Sequence, residues 1–473
     1  MHSLNLIFVA VYQLIVILTI IHVVMDNRQP AKTMAWALVI WFVPVAGIVF
    51  YFFFGINTRK EKLVSKKSLD QLTKRSMLEF VEQRDLKLPE EHKPIIGLFA
   101  NDNFSLPFKD SHVRLFRDGY EFFHALLREI GRARSHIHID MYIFEDDALG
   151  NLIADALVDK VRQGVEVRLI YDDVGCWNVR QRFFERMREE GIEVAPFLPV
   201  RFPTFTSKVN YRNHRKLIVI DGLTGFVGGM NIALRYVKGS GGLPWRDTMM
   251  QVTGGGVYSL QKAFLVDWYF VDRTLISNRK YYPPVCVERN DCIFQAVTSG
   301  PVSPYPQIMQ GFVRMIHSAR RYVFMETPYF LPNEPVLFAL KTAALGGVDV
   351  RIMVPFRSDA RFVEWASRSY LREVAEAGVK VSYYNAGFLH SKFVVCDDSI
   401  CTCGSTNVDF RSFENNFEAN AFVYDREVAV AMREMYLDDE TRSFLLKDIP
   451  RRYRPGFFVR LGESLVRMLS PLM

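Results

Sequence analysis

A set of five residue types occurs twice in the sequence with the same spacing. The set is His214, Lys216, Asp221, Gly228 and Asn231 in the first copy and His390, Lys392, Asp397, Gly404 and Asn407 in the second. A histidine and a lysine two positions apart on a strand point to the same face, and the largely apolar residues after each lysine predict a buried strand. An imidazole can act as a nucleophile or as an acid and base, and an ammonium is a compact cation suited to phosphate. Each copy therefore predicts a pair of reactive side chains at the mouth of a strand pair.

This repeated pattern resembles the mark of the phospholipase D superfamily, which is two His-x-Lys-x4-Asp motifs with Gly-Gly/Ser-x-Asn downstream. A single His-x-Lys would carry little information, but two copies of the whole pattern are specific. The alternative interpretation, two solvated polar turns on apolar hairpins, does not call for the same five residues twice. The resemblance implies an enzyme that transfers phosphodiesters.

Phosphodiester transfer places negative charge on the non-bridging oxygens of the transition state. Positioned cations and amides can stabilise that charge, and the candidates are Lys216, Lys392, Asn231 and Asn407. One histidine is expected to attack phosphorus, and the other to protonate the leaving alcohol and then activate the incoming one. Resemblance to superfamily members favours His214 as the nucleophile and His390 as the acid and base. Because lysines supply the positive charge and no metal-ligand spacing is evident, we expect neither a metal nor a cofactor.

Acidic residues downstream of each asparagine are candidates to hold the histidines. They are Asp247 in the first half and Glu418 in the second. Superfamily resemblance supports both as histidine partners, and the alternative is that they are surface acids. The motif aspartates, Asp221 and Asp397, belong to the candidate catalytic set, but each lies a strand's length from its histidine. We therefore interpret these two as structural groups that bond backbone or a basic residue.

Three further residues are candidate substrate-binding groups, namely Arg212, Gly229 and Ser405. The glycine and the serine directly follow the motif glycines. Arg212 belongs to an insert in the first half, Leu198 to Asn213, which also carries Arg201 and Lys208. Its position and charge predict that this insert borders the entrance of the site and contacts phosphate.

The elements that must position these residues alternate between strands and helices from about residue 110. In the first half, strands are predicted at 135–144, 165–172 and 192–197, with helices at 148–163 and 178–190. In the second half, strands are predicted at 322–330, 348–355 and 379–384, with helices at 307–320, 334–345 and 361–377. Gly164-Val-Glu-Val-Arg168 in the first half matches Gly347-Val-Asp-Val-Arg351 in the second. The sequence therefore predicts an α/β fold of two fused repeats, residues 109–290 and 291–450, with one shared active site.

Two long apolar runs begin the chain. Leu4 to Met25 and Met34 to Phe54 are each long enough to cross a bilayer as a helix, so they predict a transmembrane hairpin at residues 1–57. A signal peptide is the alternative, but the first run lacks a basic start and a small-residue cleavage site. Basic residues cluster in the predicted linker, residues 58–108, which places the C-terminal part in the cytoplasm by the positive-inside rule. Six cysteines without a Cys-x-x-Cys pair agree with a reducing compartment, and the net charge of +7 suits an anionic membrane surface.

The resemblance extends to bacterial cardiolipin synthases over nearly the whole chain. It is carried by Arg28-x-Pro30-x-x-Thr33-x-Ala35-Trp36, Tyr142-x-Phe144, Asn210-x-Arg212, Thr327-Pro-Tyr-Phe330 and the closing Leu469-Ser-Pro-Leu472. What it implies is a multi-pass enzyme of the cytoplasmic membrane that joins two phosphatidylglycerols into cardiolipin plus glycerol, with no nucleic acid as partner. A phosphatidylserine synthase, a hydrolytic phospholipase D or nuclease, and a membrane scaffold with an inactive site are the alternatives. Homo-oligomer formation is left open by the sequence.

The C-terminal tail, residues 451–473, has its own periodicity. Phe458, Leu461, Leu465 and Met468 recur at helical spacing, with arginines between them. This pattern predicts an amphipathic helix that lies either on a membrane or on the catalytic domain.

Overall fold

A computed structural model describes residues 2–26, 30–55, 86–103, 105–200, 210–285, 289–303, 305–448 and 455–472. The chain divides into two compact units, one of residues 1–62 with 200–211 and the other of residues 63–199 with 212–473. Both copies of the repeated pattern belong to the second unit. Residues 58–85 of the predicted linker lie outside the described residues, as do Cys286 and the two insert residues Arg201 and Lys208.

The described part of the first unit contains a helical hairpin. Its helices are α1 (His2–Met25), α2 (Pro30–Phe42) and α3 (Pro44–Phe50), and a π-helical turn, Tyr51–Gly55, continues α3. Pro44 begins α3, where its missing N–H would have had no helical partner. Val16, Val23, Ile40 and Tyr51 form the small core between the helices. The helical content predicted for residues 1–57 is thus present.

Measured by length and hydropathy together, no helix among the described residues qualifies as a membrane span.

The first repeat is built on a seven-stranded mixed sheet in the order β1-β9-β7-β6-β2-β3-β4. Its strands are β1 (Ser111–Phe116), β2 (His136–Met141), β3 (Glu166–Asp172), β4 (Glu193–Phe197), β6 (Lys216–Ile220), β7 (Thr224–Gly228) and β9 (Met249–Gly254), while β5 (Arg212–Asn213) and β8 (Trp245–Arg246) pair elsewhere. The neighbours β2, β3 and β4 run parallel, and the other pairs are antiparallel. All residues of β2 and the last four of β3 are buried, as expected where helices cover both faces of a parallel sheet.

The second repeat has a sheet with the same order, β10-β19-β17-β16-β11-β13-β14, extended at its edge by β20. The strands are β10 (Ile293–Ser299), β11 (Tyr322–Glu326), β12 (Phe330–Leu331), β13 (Asp349–Pro355), β14 (Lys380–Tyr384), β15 (Phe388–Leu389), β16 (Phe393–Cys396), β17 (Ile400–Gly404), β18 (Val408–Asp409), β19 (Asn416–Tyr424) and β20 (Ser443–Leu445). Strands β11, β13 and β14 run parallel, as their counterparts do. The predicted duplication of an α/β repeat is therefore confirmed.

Helices cover both sheets. In the first repeat and before it they are α4 (Lys93–Asn103), α5 (Gly119–Arg132), α6 (Ala148–Arg162), α7 (Gln181–Glu189), α8 (Arg235–Lys238) and α9 (Val257–Asp272). In the second repeat they are α10 (Gln307–Ser318), α11 (Glu334–Leu345), α12 (Arg361–Glu376), α13 (Phe410–Glu414), α14 (Arg426–Glu440) and α15 (Phe457–Arg467). Asp147 shows why one helix begins where it does, since its carboxylate accepts a 2.9 Å hydrogen bond from the N–H of Gly150. Each repeat has its own apolar core between helices and sheet.

The C-terminal tail forms helix α15, which packs on α12 through polar contacts. The carboxylate of Glu463 is fully buried and lies 2.6 Å from Arg372. Arg467 bonds Glu373 and lies 3.9 Å above the ring of Tyr370. The apolar side of α15 faces outward, and its exposed members are Phe457, Phe458, Leu461, Leu465, Met468 and Leu469. This arrangement inverts the usual one, in which an amphipathic helix buries its apolar face.

Candidate active site

Each motif histidine is held by a backbone pairing that crosses between the repeats. Strand β5, just before His214, runs parallel to the start of β19, and β15, just before His390, runs parallel to β8. The N–H of His214 donates to the carbonyl of Phe417 at 2.8 Å, and the N–H of His390 donates to that of Arg246 at 2.7 Å. Each histidine is thereby brought next to the segment that carries the acidic residue of the other repeat.

The histidine–carboxylate pairs are consequently crossed. Nδ1 of His214 lies 3.0 and 3.1 Å from the two carboxylate oxygens of Glu418, and Nδ1 of His390 lies 2.6 Å from Oδ2 of Asp247. Both carboxylates are fully buried. A carboxylate accepts from Nδ1–H, which leaves Nε2 as the unprotonated nitrogen. Asp247 and Glu418 hold the histidines as predicted, although the sequence did not indicate which one each carboxylate serves.

Burial keeps both histidines neutral. It lowers the pKa of His214 to about 4, with Glu418 opposing the shift. It also lowers the pKa of His390 to about 3, where Lys392 adds to the effect and Asp247 opposes it. Burial alone would raise the pKa of Glu418, but His214 and Lys216 hold it below its ordinary value. The resting site therefore contains neutral imidazoles beside ionised carboxylates.

The two motif lysines are buried beneath the histidines. Nζ of Lys216 donates to the backbone carbonyl of His214 at 2.6 Å and lies 5.1 Å from the ring centre of Tyr142. Nζ of Lys392 bonds the carbonyl of His390 and lies 3.0 Å from its Nδ1. Burial lowers the pKa of both lysines, and the nearby carboxylates oppose that shift. The carboxylates therefore favour the ammonium form of each lysine beside the histidines, against the effect of burial.

The motif aspartates lie at the far end of the motif strands and serve the fold. Both residues have left-handed backbone, with φ of 55° at Asp221 and 54° at Asp397. The carboxylate of Asp221 accepts from the N–H groups of residues 134, 135 and 136 at 2.7 to 2.9 Å. That of Asp397 accepts from residues 320, 321 and 322 at 2.6 to 2.9 Å. These bonds fix the starts of β2 and β11, as the structural interpretation expected, and replace the catalytic assignment.

Gly229 and Ser405 contact the carboxylates and are absent from the lining of the cavity between the histidines. A Cβ on Gly229 would lie 2.1 Å from Oδ1 of Asp247, so only glycine leaves room for that carboxylate. The hydroxyl of Ser405 donates to Oε2 of Glu418. Both residues thus position the histidine partners, and their role in substrate binding stays a prediction.

Arg212 also has a different place from the one predicted. Its side chain is buried, with Nη1 3.6 Å from Oδ1 of Asp172, and it does not line the cavity between the histidines. Its pairing in β5 against β19 explains the burial. The arginines that do line the cavity are Arg235 and Arg411.

The cavity between the histidines has a volume of about 410 Å³. His214, His390, Asn231 and Asn407 all line it, as predicted. Sequence reasoning missed several other polar or aromatic lining residues: Tyr142, Arg235, Tyr236, Trp245, Tyr329, Asp359, Asp409, Arg411 and Asn416. A signal for two of them is present in the sequence, since Arg235 and Arg411 each follow a motif asparagine by four positions.

Two buried arginines neutralise pairs of buried acids beneath the site. Arg215 bonds Asp267, which shares a hydrogen bond with Asp140. Arg246 of the first repeat reaches Asp439 of the second, with Nη2 at 2.7 Å from Oδ2, and Glu326 at 3.8 Å. Arg246, next in sequence to Asp247, thus makes a further contact between the two repeats.

Comparison with known proteins agrees with this geometry. Residues 126–241 and 312–439 match the family model described as cardiolipin synthase, PLD-like domain, and residues 14–55 match the model of a phospholipase D-nuclease N-terminal region. The crystal structure of phosphatidylserine synthase from Haemophilus influenzae is similar with a TM-score of 0.62 and 16% identity, and covers 80% of this chain and 100% of that chain. At that identity the similarity concerns the fold.

Curated relatives are similar over almost the whole length. A cardiolipin synthase of Alkalihalophilus pseudofirmus is 40% identical over 469 residues, which cover 98% of this chain and 93% of that protein. The major cardiolipin synthase ClsA of Bacillus subtilis is 36% identical over 476 residues, or 97% of each chain. A cardiolipin synthase of Geobacillus kaustophilus is 38% identical over 456 residues, or 95% of this chain and 90% of that protein. The chain therefore belongs to the phospholipase D-like cardiolipin synthase family.

Proposed function

We propose that this protein is a cardiolipin synthase that transfers a phosphatidyl group from one phosphatidylglycerol to another, releasing glycerol. The observation that carries the proposal is the pair of neutral histidines that face one cavity, each fixed at Nδ1 by a buried carboxylate of the other repeat. Full-length relatives that are named cardiolipin synthases support the choice of lipid.

The reaction proceeds in two displacements. In the first, Nε2 of one neutral histidine forms a bond to phosphorus, and the bond from phosphorus to the glycerol oxygen breaks. The other histidine enters this step as imidazolium, the form that the negative charge of a bound phosphate favours, and gives its Nε2 proton to that oxygen. In the second, the latter histidine takes a proton from a hydroxyl of the second phosphatidylglycerol, whose oxygen attacks phosphorus while the P–N bond breaks. The carboxylates fix the Nδ1–H tautomer and stabilise each imidazolium as it forms.

The lysines and asparagines stabilise the transferring phosphate. Lys216 and Lys392 supply fixed positive charge in a buried site, where electrostatic stabilisation is stronger than in water. Asn231 is held by Tyr236, whose hydroxyl accepts from Nδ2 at 2.7 Å, so its amide is preorganised at the cavity wall. No step in this scheme requires a metal.

The direct test uses purified full-length protein with labelled phosphatidylglycerol as the only lipid. We expect cardiolipin and glycerol in equal amounts, with EDTA leaving the rate unchanged. A parallel reaction with added serine and a nucleotide-activated lipid tests whether the protein is a phosphatidylserine synthase. A second, with excess water in dilute micelles, tests whether it is a hydrolase. Phosphatidic acid as the dominant product in concentrated lipid, or restoration of an EDTA-treated sample by Mg²⁺, would contradict the proposal.

Gly229→Ala tests the role of Asp247 without touching a reacting group. The added methyl would meet Oδ1 of Asp247 at 2.1 Å, so the carboxylate must move from Nδ1 of His390. We expect a loss of cardiolipin formation of on the order of 100-fold, the scale at which a misplacement of about 1 Å acts in catalysis. Gly131→Ala in α5 is the matched control, because a Cβ there meets nothing within 4 Å, and it should keep full activity.

We also propose that the enzyme works at a membrane, with the catalytic part on the cytoplasmic side. Helix α1 has 24 residues, about 36 Å at 1.5 Å per residue, and apolar side chains of the hairpin are exposed, among them Ile7, Leu14, Trp41, Phe42 and Val45. Exposed apolar surface of this extent is typical of membrane contact. The sequence rule of basic residues after the second run supports the cytoplasmic orientation.

Helix α15 offers a second membrane contact, close to the site. Its apolar side is continuous with Trp365 of α12, which lies 3.4 Å from a Cβ built on Gly462. Val363, in the first turn of the same α12, lines the catalytic cavity. A bilayer in contact with α15 would therefore bring lipid headgroups to the mouth of the cavity.

The double variant Phe458→Ser, Leu465→Ser should raise the apparent KM for phosphatidylglycerol in mixed micelles by about 10-fold or more. The two side chains are 85% and 56% exposed, and burying an apolar side chain of this size contributes about 1.5–3 kcal/mol. The value of kcat should stay the same because neither residue contacts the site. Leu345→Ser, equally exposed on α11, is the control, and an equal KM for both variants would contradict the assignment of this surface.

A further inference from the structure

The two histidines have similar backbones but different surroundings. The ring of His390 lies among the rings of Trp245, Phe388 and Tyr236, with centroids 5.4, 5.7 and 6.1 Å away. Among the described residues, the ring of His214 has one such neighbour, Tyr142 at 4.8 Å. The cavity is therefore aromatic on the His390 side and more polar on the His214 side.

Asn416 is the polar counterpart of Trp245, since each stands two positions before a histidine partner. Its Nδ2 donates to Oε1 of Glu418 at 3.2 Å, and because a carboxylate only accepts, this contact fixes the orientation of the amide. Asn416 is 6% exposed and lines the cavity, and in the described part of the chain its Oδ1 has no hydrogen-bond partner. A buried acceptor without a donor costs about 1–3 kcal/mol. A hydroxyl group of a ligand would satisfy it.

Two further side chains of the second repeat lie on this side of the cavity. Burial raises the pKa of Asp409 to about 6, and the negative charge of nearby Glu418 adds to this rise. Burial raises the pKa of Tyr142, and the positive charge of Arg411 opposes part of that rise, so Arg411 lies close to Tyr142. At the position of Asp409 the first repeat has Ala233, which can accept no hydroxyl. An acceptor for an alcohol hydroxyl therefore accompanies His214, whereas each side of the cavity has one arginine, Arg411 on this side and Arg235 beside Trp245 on the other.

The lysines reinforce the asymmetry. The ammonium of Lys392 lies 3.0 Å from Nδ1 of His390, whereas the ammonium of Lys216, in the described part of the chain, donates to the backbone carbonyl of His214 and not to its ring. A cation at the ring disfavours imidazolium, and a nucleophile must be neutral. The arginines that flank the first motif do not counter this, because Arg212 faces Asp172 and Arg215 bonds Asp267.

We propose that the subsite for the alcohol lies beside His214. There Asn416 and Asp409 accept hydrogen bonds from glycerol hydroxyls, and Arg411 faces the phosphate of the acceptor lipid. In this arrangement His214 is the general acid and base, and His390 is the nucleophile. This inference rests on the proposed function and deepens it. Nε2 of His390 forms the P–N bond and the bond from phosphorus to the glycerol oxygen breaks, while His214, which enters as imidazolium beside the bound phosphate, protonates the departing oxygen. His214 then deprotonates the acceptor hydroxyl, whose oxygen displaces His390 from phosphorus. The assignment reverses the expectation drawn from superfamily resemblance.

Peptide mapping of the trapped intermediate tests the roles of the histidines. Full-length enzyme is mixed with phosphatidylglycerol labelled in the phosphate, quenched in base within one turnover, and digested. We expect the label on the peptide that contains His390, whereas label on His214 would overturn the assignment. Label on His390 together with phosphatidic acid as the only product would support the assignment and contradict the proposed synthase function, so the two failures are distinguishable.

The product ratio tests the alcohol subsite. Asn416→Ala should lower the ratio of cardiolipin to phosphatidic acid by about 10-fold, the effect of losing roughly 1.4 kcal/mol of acceptor binding, while the label stays on His390. Asn415→Ala, next in sequence but absent from the cavity lining, is the matched control and should keep the wild-type ratio. If Asn416→Ala does not fold, Asp409→Asn replaces it, because asparagine can still cap α13. An unchanged product ratio in the folded variant would overturn the subsite.

Discussion

Replacing either His214 or His390 with asparagine should lower the rate of cardiolipin formation by on the order of 10⁴- to 10⁶-fold. The two side chains act as a unit, so the double variant should be little slower than either single variant. Asparagine is chosen because its amide can still donate to the carboxylate that holds the histidine, which keeps the buried Asp247 or Glu418 partnered.

The measurement is the initial rate of cardiolipin formation by purified variants, with thermal unfolding as a check of the fold. His124→Asn on α5 is the matched control, since His124 is exposed and outside the cavity, and it should retain the wild-type rate. A single variant that keeps more than about 1% of the rate, or losses that multiply in the double variant, would show that the histidines do not work together.

Arg246→Leu should be the most destabilising single substitution among those considered. The guanidinium is 6% exposed and bonds Asp439 and the backbone carbonyl of Asp247, the latter at 2.7 Å. Without it, Glu326 and Asp439 lose the buried cation between them, and Asp439 keeps only the more exposed Arg442 at 3.1 Å and Arg117 at 3.7 Å among the described residues. Removing one partner of a buried pair costs about 3–5 kcal/mol. We expect the melting temperature to fall by roughly 10 °C.

The stability lost in Arg246→Leu should increase as pH rises. Burial, with Asp439 as the next contributor, raises the pKa of Glu326 to about 8. When the pKa of a carboxyl group is higher in the folded state than in the unfolded state, the group contributes most to stability below its unfolded-state pKa. That contribution is lost as pH rises through its folded-state pKa. Arg246 opposes this rise, so its removal moves the pKa of Glu326 further up. The melting temperature of Arg246→Leu should therefore fall more steeply than that of the wild type as pH rises from about 5 to 8.

Two comparisons separate this effect from a general loss of packing. Arg162→Leu removes a surface ion pair, 2.8 Å from Glu190, and should change stability by about 1 kcal/mol or less. Adding Glu326→Gln and Asp439→Asn to Arg246→Leu removes the uncompensated charges and should restore part of the stability. If the triple variant is no more stable than Arg246→Leu, the explanation by buried charge is wrong.

Much of the fold could be predicted because it follows from local patterns. Mainly apolar segments such as 165–172 and 348–355 form the parallel strands at nearly the predicted bounds. Strands β2 and β11 end earlier than predicted, at Met141 and Glu326. Hydrophobicity continues past both points because Tyr142 and Tyr329 line the cavity instead of the sheet.

The site was predicted as far as its residues have a repeated spacing. His214, His390, Asn231 and Asn407 meet in one cavity, and the carboxylates were found by their place after the asparagines. Which carboxylate pairs with which histidine could not be predicted from the sequence, because it depends on how the similar surfaces of the two repeats face each other. The same holds for Arg212, whose charge indicated phosphate but whose neighbour is Asp172.

The crossed pairing also sets a time at which activity can begin during synthesis. Glu418 is made 204 residues after His214, which is roughly 10–40 s at about 5–20 residues per second. Through that interval the first repeat can fold, but its histidine has no carboxylate, and Asp247 has no histidine to hold. A nascent chain that already touches the bilayer is therefore inert toward the lipids around it until translation is nearly complete.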